Sequence, residues 1–203
     1  MRIALITWGF LVVAQTVRAY ESAYPMTEVG VCEIKTLPAG VVLRARSEKE
    51  YFRENNGLFR KLFEAIQQNQ VPMTTPVEAG IRPGTMVFYL DPKSAERSDL
   101  RLGGGVERLE RRERVVASVG IRGGYSKESF AENSEKIEKW LKAQAGWRRV
   151  GEPYAVYWNS PFVIWFLKRS EVHVPVEKVT LDSAPKEVIW HPQAWPSSLS
   201  ARA

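Results

Sequence analysis

Few side chains in this chain of 203 residues have the types and spacing that catalysis or metal binding requires. The single cysteine, Cys32, excludes an intrachain disulfide, and the two histidines, His173 and His191, are far apart in the sequence. CxxC and HxxxH pairs are absent, so we do not expect a structural zinc site. A nucleophilic dyad of Cys32 with His173 would need hydrogen-bond contact between the two side chains. We therefore expect a binding protein, with an enzyme built on that dyad as the less favoured alternative.

The segment VPMTTPVEAGI, residues 71–81, is the most unusual stretch of the sequence. It is apolar and stiffened by two prolines, and Glu78 is its only acid or base. It directly follows the stretch with the clearest helical pattern. We interpret it as one wall of a binding pocket and not as a catalytic centre.

Composition and charge indicate one globular domain that is exported. The chain is 44% hydrophobic and 26% charged, which is ordinary for a globular protein. Arg2, the apolar run 3–13 and the small residues before position 20 predict a signal peptide over residues 1–19. The run is shorter than the roughly 20 apolar residues that span a bilayer, so we favour cleavage over an anchor. Cleavage would remove Arg2 and Arg18 and reduce the formal charge from +6 to +4.

The first half of the predicted domain has the pattern strand, strand, helix, strand, strand. Alternating residues predict strands at 31–37 and 41–46, separated by a Pro-Ala-Gly turn. Apolar residues at helical spacing predict a helix over 48–68, which ends before Pro72. Strands are then predicted at 75–81 and 85–90.

The second half repeats this order with little sequence identity. The predicted strands are 106–112, 114–121, 154–159 and 162–176, and the predicted helix begins after the N-cap Ser126 and ends near Gly146. Two such units joined together predict an α+β fold, a distorted antiparallel barrel of about eight strands flanked by two helices. We expect the domain to cover 20–176 and the Pro- and Ser-rich extension 177–203 to be loose.

Three segments in the same order resemble the SOUL haem-binding family. PMTTPV (72–77) resembles that family's Met-Thr-x-Pro-Val signature, IRGGYSKE (121–128) resembles its Gly-Gly-Tyr segment before the second helix, and YWNSPFVIWFLKRSEVHV (157–174) resembles its closing segment. The chain departs from the pattern at Arg122, at Lys168-Arg169-Ser170, and at His173, which replaces a tryptophan. The loop before Met73 is also shorter than expected for the family.

The resemblance implies non-covalent binding of haem or a related tetrapyrrole by an exported carrier or scavenger. Such a ligand needs an apolar slot with a cationic rim. The candidate apolar contacts are on the predicted first helix and the segment after it: Leu58, Phe59, Leu62, Phe63, Met73 and Pro76. The candidate partners for the ligand's carboxylates are Arg53, Arg60 and Lys61. For the helical residues, an ordinary core position or a solvated charged face is the competing interpretation.

His173 is the candidate iron ligand, although strand alternation places it on the opposite face from Val172 and Val174. If the valines face the core, His173 is expected to face solvent. A binding module for another small apolar molecule or for a protein partner remains an alternative, which the short loop before Met73 favours. Glutamates alternate with the basic residues of 108–116, so we expect no nucleic-acid partner. We also expect no stable membrane insertion after cleavage, and the oligomeric state stays open.

Overall fold

The computed structural model describes residues 21–160 and 163–179. The predicted signal peptide and all but the first residues of the predicted C-terminal extension lie outside these ranges. In chain order the elements are β1 (Glu21–Ser22), β2 (Cys32–Leu37), β3 (Gly40–Ser47), α1 (Tyr51–Gln68), β4 (Thr74–Thr75), β5 (Val77–Gly80), β6 (Gly84–Tyr89), α2 (Pro92–Ala95), β7 (Val106–Arg111), β8 (Arg114–Arg122), α3 (Lys127–Lys142), β9 (Trp147–Arg149), β10 (Tyr154–Tyr157) and β11 (Arg169–Lys178).

The two long helices form where their apolar spacing predicts them. In α1, Leu58, Leu62 and Ile66 recur at four-residue spacing and are buried on one face. The helix ends at Gln68, and the backbone N–H of Asn69 still donates to the carbonyl of Ala65 at 3.2 Å. In α3, the hydroxyl of Ser126 accepts a hydrogen bond from the backbone N–H of Ser129 at 3.1 Å, as expected of an N-cap.

The sheet has the pseudo-twofold order that the repeated pattern predicts. Its strands run in the order β2-β8-β11-β10-β5-β6-β3-β7, and every neighbouring pair is antiparallel. The counterparts in the two halves are β2 and β7, β3 and β8, β5 and β10, and β6 and β11. When the members of each pair are exchanged and the order is read backwards, the same order returns. The twofold axis therefore passes between β5 and β10, where Ala79 opposes Ala155. The α+β prediction, with a curled sheet of about eight strands and two flanking helices, is confirmed.

Three local predictions were wrong. The closing strand begins at Arg169 and not at 162, because residues 163–168 form a loop that contains a 3₁₀ turn at Trp165–Leu167. Helix α3 ends at Lys142, and Gly146 instead adopts a φ of +80° in the turn that leads into β9. The short strand β9, which pairs with the end of β11, was not predicted.

The helices cover one face of the sheet, and the other, inner face carries an apolar cluster that includes Val87 and Val156 together with buried polar residues such as Glu78. Helix α1 packs on β3 and β6, and α3 packs on β8 and β11, where Ile137 and Leu141 contact Val172 and Val174. Within the part of the chain that the structure describes, no helix is both long and apolar enough to cross a membrane. The inner face of the curled sheet carries the candidate site.

Candidate functional site

Two buried glutamates lie on the inner face in one row across the four central strands. Glu78 on β5 opposes Val87 on β6 and Val156 on β10, and Val156 in turn opposes Glu171 on β11. Directly opposed residues share a face of a sheet, so both carboxylates project to the inside. Their strands are two positions apart, which separates their Cα atoms by about 10 Å. Each carboxylate has its own set of donors.

Glu78 is held by two tyrosines and two arginines. Its carboxylate accepts hydrogen bonds from the hydroxyls of Tyr24 at 2.8 Å and Tyr89 at 2.6 Å. Arg114 donates at 2.6 Å and Arg111 donates to the second oxygen. Burial alone would raise the pKa of Glu78, but the two guanidinium groups outweigh it and hold the pKa below the usual range. Glu78 is therefore a structural anion and not a proton donor near neutral pH.

Glu171 is held by a second set of donors that share no residue with the first. The backbone N–H of Thr27 donates at 2.7 Å and the indole N–H of Trp158 at 2.8 Å. Lys35 lies 2.7 Å from the carboxylate. Burial would raise the pKa of Glu171, but the hydrogen bond from His173 and the charge of Lys35 lower it to about 2.

His173 is part of this network, and the expectation that it faces solvent is wrong. Its side chain is fully buried. Val172 and Val174 do face the core under α3, and His173 faces the opposite side of the sheet. That inner side is also closed to solvent, so both sides of this part of β11 are buried. Nε2 lies 2.5 Å from Glu171 and Nδ1 lies 3.1 Å from the hydroxyl of Tyr154. Iron ligation by His173 would require one of these contacts to break, and it stays a prediction.

The geometry excludes the dyad of Cys32 and His173. Cys32 opposes Val119, which opposes Val172, and all three lie on the face that α3 covers. His173 projects to the other face. In the described ranges, no group of three or more histidine, cysteine, aspartate or glutamate side chains is arranged to hold a metal ion.

Burial lowers the pKa of His173 more strongly than Glu171 raises it, so the imidazole is neutral near pH 7. A neutral ring beside an ionised carboxylate donates from Nε2 to Glu171 and accepts at Nδ1 from Tyr154. Tyr154 thus joins the Glu171 cluster to the neighbourhood of Arg114 and Glu78. The N-terminal segment completes this polar core, because Tyr24 contacts Glu78 and Thr27 contacts Glu171.

The other end of the inner face opens into a cleft of about 650 Å³. Its polar lining includes Arg44 and Arg46 from β3, Glu78 from β5, and Tyr154 from β10. Its apolar lining comes from both helices, the β5–β6 turn, β6 and the start of β10: Phe52, Ile81, Pro83, Val87, Phe130, Ala131 and Pro153. Further cations, Arg82, Arg111, Lys127 and Arg149, and three acids, Glu50, Glu138 and Glu152, complete the wall.

Four of the six cations in the cleft pair with acids that also line it, whereas Arg44 and Arg46 do not. Lys127 and Arg82 pair with Glu50, Arg149 pairs with Glu138 and Glu152, and Arg111 pairs with Glu78.

Arg44 donates from one terminal nitrogen to Glu107 at 2.7 Å, whereas its buried Nε has no partner. Arg46 has no ion pair with any residue that the structure describes. Arg44 and Arg46 are therefore the two cations of the cleft whose charge no acid of its lining neutralises, which suits them to an anionic group.

The residues predicted from sequence to bind the ligand do not line this cleft. Leu58 and Leu62 have 0% exposure and pack in the core, Pro76 is buried, and Met73 is half-buried against the same core. Phe59 stacks on the partly exposed Phe63. The three cations Arg53, Arg60 and Lys61 are exposed on α1. Their role stays a prediction, but a ligand in contact with Leu58 or Leu62 would have to displace the core.

Sequence patterns carried a signal for the residues that do line the cleft. Arg44 and Arg46 alternate with the buried Leu43 and Ala45 in the predicted strand VVLRAR, which places both arginines on the inner face. Phe52 was one of the apolar residues that predicted α1. What the sequence did not indicate is that the β5–β6 turn and the N-terminal parts of both helices meet at this end of the sheet.

The sequence of the chain matches a known protein family. A family profile described as SOUL heme-binding protein matches residues 19–175. No curated protein sequence matches the chain.

Solved structures share the architecture at low identity. The EcmrR C-terminal domain superposes with a TM-score of 0.57 and 15% identity, over 73% of this chain and 98% of that domain. The EcmrR chain in its DNA complex gives the same TM-score, and the match covers 58% of that longer chain. A hydrolase from Listeria innocua superposes with a TM-score of 0.49 and 11% identity, over 76% of this chain and 94% of that protein. These similarities concern the fold alone. Because the profile covers well over half of the sequence, the chain belongs to the SOUL heme-binding protein family.

Proposed function

We propose that the protein binds haem or a related tetrapyrrole non-covalently in the 650 Å³ cleft of the inner sheet face. The observation that carries the proposal is the combination of apolar walls with two arginines, Arg44 and Arg46, that no acid of the lining neutralises. The volume lies within the range of about 300 to 1,000 Å³ that small-molecule sites occupy. Membership of the SOUL family supports the ligand class.

The residues of the cleft fit the two parts of such a ligand. Phe52, Ile81 and Phe130 offer apolar surface to a flat ring. Arg44 and Arg46 suit the propionate carboxylates because a guanidinium can donate two parallel hydrogen bonds to one carboxylate. Burying about 400 Å² of ring at about 25 cal/mol/Å² contributes about 10 kcal/mol before association costs of at least about 4 kcal/mol are subtracted. The ring and its carboxylates are therefore enough for useful affinity.

The proposed binding does not depend on an iron–protein bond. The described residues around it include no histidine, cysteine or methionine, and the hydroxyl of Tyr154 is already engaged by His173. A bound haem would supply a redox-active iron, while the protein's own residues hold the ring and neutralise its carboxylates. For this reason we propose a carrier or scavenger and not a catalyst.

We further propose that the protein is exported. The support is the sequence of residues 1–19 alone, with its positive end, apolar run and small residues before the expected cleavage point. Analysis of the N-terminus of protein recovered from its native host tests this. A mature chain that begins near Tyr20 supports export, and an intact Met1 in the cell interior contradicts it.

Hemin titration tests the binding proposal. A saturable change in the Soret band at one hemin per chain, with an affinity well above that of a non-specific protein of similar charge, is the expected result. Absence of a saturable change under conditions in which serum albumin binds hemin would overturn the proposal. Native mass spectrometry of protein purified from its source would show whether a tetrapyrrole accompanies it.

A further inference from the structure

The loop between β10 and β11 exposes four large apolar side chains in succession. Ile164, Trp165, Phe166 and Leu167 are 56%, 67%, 49% and 49% exposed, and the backbone N–H of Leu167 donates to the carbonyl of Ile164 at 2.9 Å to close the turn. We call these four residues the apolar loop. Contiguous exposed apolar side chains of this size are unusual on a soluble surface and mark an interaction site.

The base of the apolar loop is firmly held, so its side chains are presented to solvent by a defined structure. Asn159 accepts a hydrogen bond from the backbone N–H of Arg169 at 2.6 Å. The hydroxyl of Tyr125 donates to the carbonyl of Arg169 at 2.8 Å, and the N–H of Gly123 donates to the carbonyl of Lys168 at 3.0 Å. The exposure is therefore a feature of the folded domain.

Cations without acidic partners surround the same loop. Arg122 on β8 directly opposes Arg169 on β11, and neither guanidinium pairs with an acid among the described residues. Lys168 lies over the ring of Tyr125 at 5.0 Å and likewise has no acidic partner there. Like charges that face each other across two strands are unfavourable unless something neutralises them.

More exposed apolar surface lies at this end of the sheet. Val29 and Val31 are exposed, and they flank Gly30, whose backbone N–H donates to the carbonyl of Gly120, two residues before Arg122 on β8. None of these residues, and none of the apolar loop, lines the 650 Å³ cleft. The surface is thus separate from the proposed ligand site.

We propose that the apolar loop docks the protein on an anionic lipid surface. Tryptophan favours the boundary between headgroups and acyl chains, and phenylalanine and leucine are typical of the apolar face of segments that lie in this boundary. Arg122, Lys168 and Arg169 would then lie at the level of the negatively charged headgroups. A one-turn loop enters the interface without spanning the bilayer, which gives reversible peripheral binding.

The charges favour a lipid surface over a second copy of the chain. A symmetric dimer through this loop would bring the unpaired arginines of both copies to the same interface. No acid of the apolar loop or its base is available to neutralise them, and buried unpaired charges are costly. An anionic bilayer neutralises the same cations.

A site-specific fluorescent label tests the proposal on the full chain. Phe166→Cys in a Cys32→Ala background places an environment-sensitive label on the apolar loop, and Lys139→Cys in the same background places one on the exposed side of α3 as the matched control. Both variants carry residues 1–19, so any membrane binding by that segment affects them equally. Circular dichroism and thermal unfolding establish that both variants fold.

The expected result is a blue shift of the label at 166, and its quenching by spin-labelled lipid, on equimolar phosphatidylcholine and phosphatidylglycerol vesicles. The label at 139 should not respond. Adding Arg122→Gln and Arg169→Gln should weaken the response by about tenfold or more, because each cation near an anionic surface contributes to binding.

Three results would overturn the proposal. The first is a label at 166 that keeps its emission in water although the protein sediments with vesicles. The second is an equal response to pure phosphatidylcholine. The third is a shift that grows with protein concentration in the absence of vesicles, which would indicate a second copy. None of these outcomes depends on whether the cleft binds a tetrapyrrole.

Discussion

His173 and Glu171 lie two residues apart on β11, and Nε2 of the histidine is 2.5 Å from the carboxylate of the glutamate inside the curled sheet. Neither side chain is exposed. Residues at this spacing share a face of a strand, so the pair is built by local geometry before any other contact is added. Folding lowers the pKa of both side chains below the ordinary value, so the stability of the fold depends on pH.

The first prediction is that stability falls as pH drops from 7.5 to 5.5. The pKa of His173 in the folded state is below the ordinary 6.5, chiefly because of burial. Below pH 6.5 the unfolded chain therefore binds more protons than the folded chain, and the free energy of unfolding decreases by at most about 1.4 kcal/mol for each pH unit. Urea unfolding at both pH values measures this. Equal stability would show that His173 titrates alike in both states.

The second prediction concerns the buried carboxylate itself. Glu171→Gln leaves Lys35 and the donors of four other residues, Thr27, Ser118, Trp158 and His173, without their anion, and breaking a buried ion pair costs about 3–5 kcal/mol. Glu177→Gln is the matched control, because Glu177 lies on the same strand and pairs with the exposed Arg148. Its cost should be at most about 1 kcal/mol. Similar costs for the two variants in urea unfolding would contradict the assigned role of Glu171.

The Glu171→Gln variant also isolates the acid range. The folded pKa of Glu171 is about 2, below its ordinary 4.5, so its stabilisation is present above about pH 4.5 and is lost as pH falls toward 2. The variant lacks this titration. Its free energy of unfolding should therefore decline less steeply than that of the parent chain between these pH values.

The sequence predicted the outer face of the sheet far better than the inner face. Helix α1 was predictable because Leu58, Leu62 and Ile66 recur at helical spacing and mark its buried face. The strands of the first half were predictable because alternating runs such as VVLRAR mark one buried face in the same way. The same alternation misled the interpretation of His173. Period-two alternation shows that two sets of residues face opposite sides, but not that one of those sides is solvent.

The candidate site was not predictable because its residues meet only in the folded sheet. Arg44, Glu78 and Tyr154 are contributed by three strands whose neighbours are set by the pseudo-twofold pairing of β5 with β10. Nothing local to any one segment states which strands are adjacent. The run 162–167 was assigned to a strand for a related reason: aromatic and branched residues have high strand propensity whether or not a neighbouring strand is present.

The third prediction compares the cleft with the ligand site inferred from sequence. Arg44→Gln combined with Arg46→Gln should weaken hemin binding by about tenfold or more, because the propionates lose charge-assisted hydrogen bonds. Arg53→Gln combined with Arg60→Gln removes two exposed cations of α1 and should change the affinity by less than about twofold. Hemin titration of each double variant, followed in the Soret band, measures the two affinities. The reverse ranking would locate the ligand on α1 and contradict the cleft.

The fourth prediction removes the metal. If the ring and carboxylates supply the affinity, metal-free protoporphyrin should bind within about threefold of hemin. A tenfold difference would already correspond to a contribution of about 1.4 kcal/mol from the metal. Fluorescence titration of protoporphyrin, with hemin as competitor, provides the comparison. A loss of a hundredfold or more would reveal an iron ligand and would return attention to His173.

The fifth prediction tests how the N-terminal segment closes the inner face. A Cβ built on Gly120 would lie 2.1 Å from the carbonyl oxygen of Glu28 and 2.5 Å from that of Thr27, and both obstacles are backbone atoms that cannot turn aside. Because Thr27 holds Glu171 through its N–H, Gly120→Ala should shift this contact and cost at least about 1–3 kcal/mol. Gly103→Ala is the matched control, since nothing lies within 4 Å of its added Cβ and its φ is not in the left-handed region, so its stability should stay within about 1 kcal/mol of the parent. If Gly120→Ala unfolds at the same urea concentration as the control, residues 27 and 28 do not seal the polar core as the structure indicates.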